Sequence, residues 1–180
     1  LVDHLEVEPG RHAMVLADVA GKALPAALLM AKVQATLRAL ATEAASLTDL
    51  ASRVNAILCR DGLPNRFVTL VYLDVHADSG RITLVNAGHM PPIVVTPAGF
   101  HDLPRGNMAM GLLVRASFEE QQVEFQPGDM LVVYSDGLTD AMNAHGEFYG
   151  DERLRALMPG LSALAAADAG ARLLSSVNTF

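Results

Sequence analysis

Two apolar runs in this chain stop at an aspartate: Val15-Leu16-Ala17-Asp18-Val19-Ala20-Gly21 and Leu131-Val132-Val133-Tyr134-Ser135-Asp136-Gly137. A short run of branched apolar residues reads as a buried strand. An Asp that closes such a strand is a costly group unless it meets a helix N-terminus, a basic side chain or a cation. Held at a sheet end, its oxygens face open space. Two such carboxylates brought together by a fold suit a hard divalent cation, Mg²⁺ or Mn²⁺, which takes oxygen ligands. Each Asp also has a plainer reading: Asp18 as part of the start of the next helix, and Asp136 as an Asp-Gly turn. Gly21 lets backbone pass close to a ligand, and Lys22 beside it can meet an anion. Asp140 is either a supporting acid for Asp136 or part of the turn before Asn143.

Composition narrows the classes of function. The 180 residues are 51% hydrophobic, enough for one domain with a core. Thirteen basic against 20 acidic residues give a net charge of −7, which excludes nucleic acid as the main partner. The single Cys59 excludes a disulfide framework and a thiolate metal cluster, and implies a reducing cytoplasm. Its place in a helical apolar pattern makes it a core residue rather than a nucleophile. Residues 24–41 come nearest to a membrane span, but Lys32, Gln34 and Arg38 interrupt them, so no membrane contact is expected. The chain opens at Leu1 without Met or a signal peptide and stops at Phe180 just after a helical pattern, so it reads as a piece of something longer.

Residues 12–18 read as a strand. Pro25 marks a first helical turn, and Ala26 to Ala45 follow almost without helix breakers, with Leu28, Leu29, Val33, Leu37 and Leu40 at helical spacing. A second helix is predicted from Thr48, as N-cap, to Cys59, ending at Asp61-Gly62. Phe67 to His76 and Arg81 to Ala87 are predicted strands about the turn Ala77-Asp78-Ser79-Gly80. Ile93 to Thr96 and Phe118 to Phe125 are further strands, and Pro97-Ala98-Gly99 is a turn. Met130 to Tyr134 reads as fully buried. Helical pattern resumes at Asp151 and breaks at Pro159-Gly160. Helices at both ends with hairpin-linked strands between them predict α+β layers, a two-sheet core covered by helices on both outer faces.

Asn86-Ala87-Gly88-His89-Met90-Pro91-Pro92 is a third constellation. It reads as a strand ended by a Gly turn and stopped by two prolines, with His89 on the surface or hydrogen-bonded. Alternatively, Asn86 and His89 lie near a phosphate or its leaving group, where a His donates protons near neutral pH.

Several segments in one order resemble a known family. Ala17-Asp18-Val19-Ala20-Gly21-Lys22 with its continuation to Ala31, Phe67-Val68-Thr69-Leu70, the Asn86 to Pro92 segment, Gly111-Leu112-Leu113, Pro127-Gly128-Asp129, Tyr134 to Asn143 and Phe148 to Leu154 are similar to blocks of the metal-dependent PPM (type 2C) protein phosphatases, in particular the bacterial SpoIIE/RsbU-like subgroup. The resemblance covers nearly the whole chain. It implies a four-layer α/β/β/α sandwich of two antiparallel sheets flanked by helices, with residues 1–180 as one phosphatase domain. It also implies two Mn²⁺ or Mg²⁺ ions, with Asp18 and the Val19 carbonyl as metal ligands and Asp136 as the carboxylate from the opposite sheet. Asp18 and Asp136 are thus the implied catalytic pair, with Asn86, His89, Gly137 and Asp140 close to substrate. The implied reaction is hydrolysis of phosphoserine or phosphothreonine on a protein. The subgroup implies an anti-sigma-factor antagonist as substrate, in a partner-switching pathway. Metal-activated water needs no enzyme nucleophile, which agrees with the lack of a convincing Cys or Ser.

The chain also departs from that family. Members carry a Gly-Gly-Asp segment before the first strand, whose Asp binds metal; by register with Asp18 it would fall just before Leu1, and Asp3 matches a later acidic position. Members end in an Asp-Asp-x-Thr strand that would lie beyond Phe180. The domain is therefore expected to be truncated at both ends, with exposed sheet edges that favour a homodimer. Ala23, where many members have Gly, is expected to be tolerated. A competing reading is a non-catalytic module of the same fold that binds its partner without turnover. A nucleotide-binding α/β protein is disfavoured, since no Gly-x-Gly-x-x-Gly or Gly-Lys-Ser/Thr loop is present.

Overall fold

The structure is a computed structural model and describes residues 1–61 and 66–180. Gly62, the predicted end of the second helix, lies outside the described residues. The chain is α+β, with two antiparallel sheets, each accompanied by helices. It divides into two compact units, Leu1–His89 with Arg105–Glu124, and Met90–Pro104 with Phe125–Phe180.

The first unit is a five-stranded sheet in the order β1-β2-β3-β4-β7. Its strands are β1 (Val2–Glu8), β2 (Arg11–Val19), β3 (Val68–His76), β4 (Arg81–Ala87) and β7 (Glu120–Glu124), every neighbouring pair antiparallel. The helices α1 (Ala23–Leu40) and α2 (Leu47–Asp61) belong to this unit. Side chains alternate along a strand, so Ala13, Val15, Ala17 and Val19 share one face of β2. They pack with Leu70 and Tyr72 of β3, Leu29, Val33 and Leu37 of α1, and Leu50, Val54 and Leu58 of α2. A fully buried residue such as Val54 contributes about 1.5–3 kcal/mol through apolar burial. Among the described residues α1 is the helix long and apolar enough to cross a membrane, with 18 residues at a mean hydropathy of 1.2. Here it is a core helix: Leu29, Val33 and Leu37 are buried against the sheet.

Local chemistry shifts several predicted boundaries. β1 was not foreseen. It hydrogen-bonds to β2 and is tied to α1 by Arg38, whose Nε and Nη2 donate to Asp3 at 2.8 and 2.6 Å. α1 begins before Pro25, at Ala23, and ends at Leu40. α2 begins before Thr48, at Leu47, and Ser46 acts as its cap: the Asp49 N–H donates to Ser46 Oγ at 3.0 Å, and the Ala45 N–H donates to Asp49 Oδ2 at 3.2 Å. This reciprocal pair satisfies two donors around the helix start.

The second unit holds a three-stranded sheet, β6-β5-β8, made of β5 (Ile93–Thr96), β6 (Gly99–Asp102) and β8 (Met130–Val132). The turn at Pro97-Ala98-Gly99 leads directly into β6, which pairs with β5 as a hairpin. β8 is shorter than predicted and only partly buried. After it come α3 (Asp136–Thr139), α4 (Gly150–Leu157), a 3₁₀ turn (Leu161–Ala163) and α5 (Ala166–Asn178). Their core is Ile93, Val95, Tyr149, Leu154, Met158 and Leu161.

Candidate functional site

In the first unit three predicted residues gather at one end of the sheet. Asp18, the penultimate residue of β2, is the register partner of Thr69 on β3. Directly paired residues of antiparallel strands share a face, here the face opposite the helix-packed Val15, Ala17 and Val19. Thr69 Oγ1 lies 2.9 Å from His89 Nδ1. Asn86, fully buried, closes the group: its Oδ1 accepts from the His89 N–H at 2.8 Å, and its Nδ2 donates to the His89 carbonyl at 3.2 Å. His89 is thus a buried, hydrogen-bonded residue beside the Asp18–Thr69 strand pair. Gly88 permits this turn, with φ of 73° and the Ala109 backbone nitrogen only 2.7 Å from where a Cβ would stand.

Asp18 is exposed, and its Oδ1 accepts from the Val19 N–H at 2.8 Å. Val19 ends β2 with its side chain in the core. The loop that follows is held by Arg66, whose Nη1 donates to the Ala20 carbonyl at 3.0 Å and fills the space in front of Gly21. Gly21 has φ of 135° and Ala23 has φ of 63°, both in the region that favours glycine. The expected tolerance at Ala23 therefore carries a backbone cost. Lys22 occupies the N-cap position of α1 without a capping side-chain bond.

The remaining candidates lie in the second unit. Asp136 is exposed and opens α3, so it follows β8 across Val133-Tyr134-Ser135 rather than ending the strand. Its carbonyl accepts from the Asp140 N–H at 2.7 Å and from Thr139 Oγ1 at 3.1 Å. Asp140 is thereby the cap of α3, and Gly137 has no crowding that demands glycine. Burial, then the nearby Asp151 carboxylate, pushes the Tyr134 phenol upward. A cavity of about 610 Å³ in this unit is lined by Thr96, Phe100, Pro159, Ser162 and neighbours, and among the described residues its lining holds no titratable side chain.

Among the described residues neither Asp18 nor Asp136 enters an ion pair. Exposed oxygen donors free of basic partners fit a hard cation that keeps several waters and takes few carboxylates. No group of three or more His, Cys, Asp or Glu converges among the described residues. Asp3 is committed elsewhere: the Arg38 guanidinium holds its carboxyl below the usual range, against a smaller opposing effect of burial. Thr69 and Arg66 were not singled out from the sequence. Thr69 was legible only as part of a strand block, and its bond to His89 spans 20 residues.

The fold is that of PP2C phosphatase domains. The PP2C phosphatase domain of SpoIIE from Bacillus subtilis superposes with a TM-score of 0.79 at 17% identity, over 98% of this chain and 52% of that one. RsbX, solved in complex with magnesium, superposes with a TM-score of 0.69 at 13% identity, over 99% of this chain and 79% of that one. The sequence profile of Stage II sporulation protein E (SpoIIE) matches residues 8–180, and the chain belongs to that family. Phosphoserine phosphatase RsbU of Bacillus subtilis is 25% identical over 135 residues, covering 74% of this chain and 40% of RsbU. The chain thus spans less than half the length of this curated relative.

Proposed function

We propose that residues 1–180 act as a phosphatase domain that hydrolyses phosphoserine or phosphothreonine on a regulatory protein. The observation that carries the reading is the exposed Asp18, free of ion pairs among the described residues, whose register partner Thr69 is bonded to the buried His89. The similarity to RsbU, a phosphoserine phosphatase, and the magnesium complex of RsbX support it. Asp18 and the Val19 carbonyl in the first unit, and Asp136 in the second, would each offer oxygen ligands to Mn²⁺ or Mg²⁺. Such ions supply an acidified water and neutralise phosphoryl oxygens. Asp18 fixes an oxygen donor at a rigid strand end, and the Val19 amide orients that carboxylate through Oδ1. Thr69 and Asn86 fix the ring and backbone of His89, and this buried group keeps the strand pair that carries Asp18 rigid close to the substrate. Gly137 and Asp140 flank the second carboxylate in this reading. The subgroup resemblance implies an anti-sigma-factor antagonist as substrate, and the single free thiol of Cys59 supports a cytoplasmic location.

The test is Mn²⁺-dependent release of phosphate from a phosphoserine protein, with Asp18→Asn as control. Release by the wild type alone is expected; equal rates would remove the assignment. The second reading, a binding module without turnover, draws on the lack of a converging three-ligand cluster among the described residues. Calorimetric titration of Mn²⁺ separates the two: heat that vanishes in Asp18→Asn supports the enzyme, and no heat in either protein supports the module.

A further inference from the structure

Residues 103–118 hold two arginines and no acid, in a chain of net charge −7. The loop is pinned from behind. Asn55 of α2, 1% exposed, accepts from the Gly111 N–H at 2.9 Å and donates to the Leu113 and Val114 carbonyls at 3.0 and 3.4 Å. Met110 exchanges two 2.9 Å backbone bonds with Val68, and the Asn107 N–H donates to the Asn86 carbonyl at 2.8 Å. Against this backing Leu112, Leu113 and Val114 stand 53%, 51% and 66% exposed, and Arg105 and Arg115 are exposed beside them in sequence. Neither arginine enters an ion pair among the described residues. Asn55 stabilises a loop conformation that leaves three apolar side chains in water, where they gain nothing from burial. A surface fixed in advance does, however, lower the ordering cost of binding.

We propose that this loop docks the substrate protein and selects one whose phosphoserine is flanked by apolar and acidic side chains. The inference rests on the phosphatase reading. The loop borders the same end of the sheet as Asp18: Gly111 lies against the Arg66 backbone, and the Arg66 side chain holds the Ala20 carbonyl two residues beyond Asp18, so a chain with its phosphate at Asp18 meets the loop nearby. Leu112, Leu113 and Val114 offer the apolar contact, and Arg105 and Arg115 offer charge complementary to acidic flanks.

Two synthetic phosphoserine peptides of equal length test this, one with Leu and Glu flanks and one with Ala and Lys flanks. Binding to the full-length protein is read by fluorescence anisotropy in EDTA, where no turnover occurs. Wild type is expected to bind the Leu/Glu peptide about tenfold more tightly. Leu112→Ser/Leu113→Ser and Arg115→Glu are each expected to erase most of that preference, with circular-dichroism spectra superposing on wild type. Equal binding of both peptides by wild type, or a preference unchanged in both variants, would overturn the proposal. Failure to release phosphate with Mn²⁺ counts against the phosphatase reading alone, because the anisotropy result stands apart from turnover.

Discussion

The guanidinium of Arg66 sits where a Cβ on residue 21 would have to go, and its Nη1 donates to the carbonyl of Ala20. Gly21 is held at φ of 135° by the same arrangement. A Gly21→Ala substitution thus meets two obstacles, backbone strain and displacement of Arg66. It should destabilise the protein by about 2 kcal/mol and weaken Mn²⁺ binding, because the loop directly follows Asp18 and Val19. Urea unfolding and calorimetry on the same samples check both.

Ala23 should respond in the opposite sense. Its φ of 63° places a Cβ in the left-handed region, at a cost of roughly 1–2 kcal/mol. Glycine removes that strain but gives up unfolded-state restriction, so Ala23→Gly should stabilise by about 0.5–1 kcal/mol. A rise in the urea midpoint with unchanged slope is the expected result.

Asn55 supports the loop at 111–114 with both ends of its amide. Asn55→Ala leaves the Gly111 N–H and the Leu113 carbonyl without that partner, for a loss on the order of 2–3 kcal/mol. Hydrogen exchange should rise first at Gly111, ahead of α2 as a whole.

Thr69→Val keeps the shape of the strand and removes the hydroxyl that holds His89 Nδ1. A stability loss of about 1 kcal/mol is expected, together with slower phosphate release as His89 loses its fixed place beside the Asp18–Thr69 pair. A hydroxyl without a part in holding the site would lower the urea midpoint and leave the rate of phosphate release in place.

Stability should fall in acid partly through β1. The Arg38 guanidinium lowers the Asp3 carboxyl below its ordinary value, so the folded protein binds that proton less readily than the unfolded chain. The contribution is complete above the ordinary carboxylate range and is lost as pH drops through the depressed folded value. Arg38→Gln should flatten the acid limb of the stability curve, measured by urea midpoints between neutral pH and pH 3.

Residues whose neighbours in sequence are also their neighbours in space were readable beforehand. Arg81 to Ala87 and Ile93 to Thr96 matched β4 and β5 at both ends, because each is a run of branched residues bounded by turn formers. β1 was not readable: Val-Asp-His-Leu-Glu-Val-Glu packs one face only, and its acids and histidine suggest a solvated loop. The start of α2 was placed at Thr48, but the Asp49 amide reaches back to Ser46 instead, a choice of cap that the local sequence does not reveal. At the site, Asp18, Asn86 and His89 stood out through their local context. Thr69 did not, because its importance comes from register with Asp18 and a bond to residue 89. Arg66 stayed hidden for the same reason: nothing local shows that its side chain reaches back to residue 20.

The chain leaves the five-stranded sheet after His89, builds β5 and β6, and returns at Arg105 to add β7 beside β4. Neither half is a continuous stretch of polypeptide, so no single proteolytic nick or genetic crossover releases one of them whole. An exchange that keeps this fold therefore has to carry both halves together as one block.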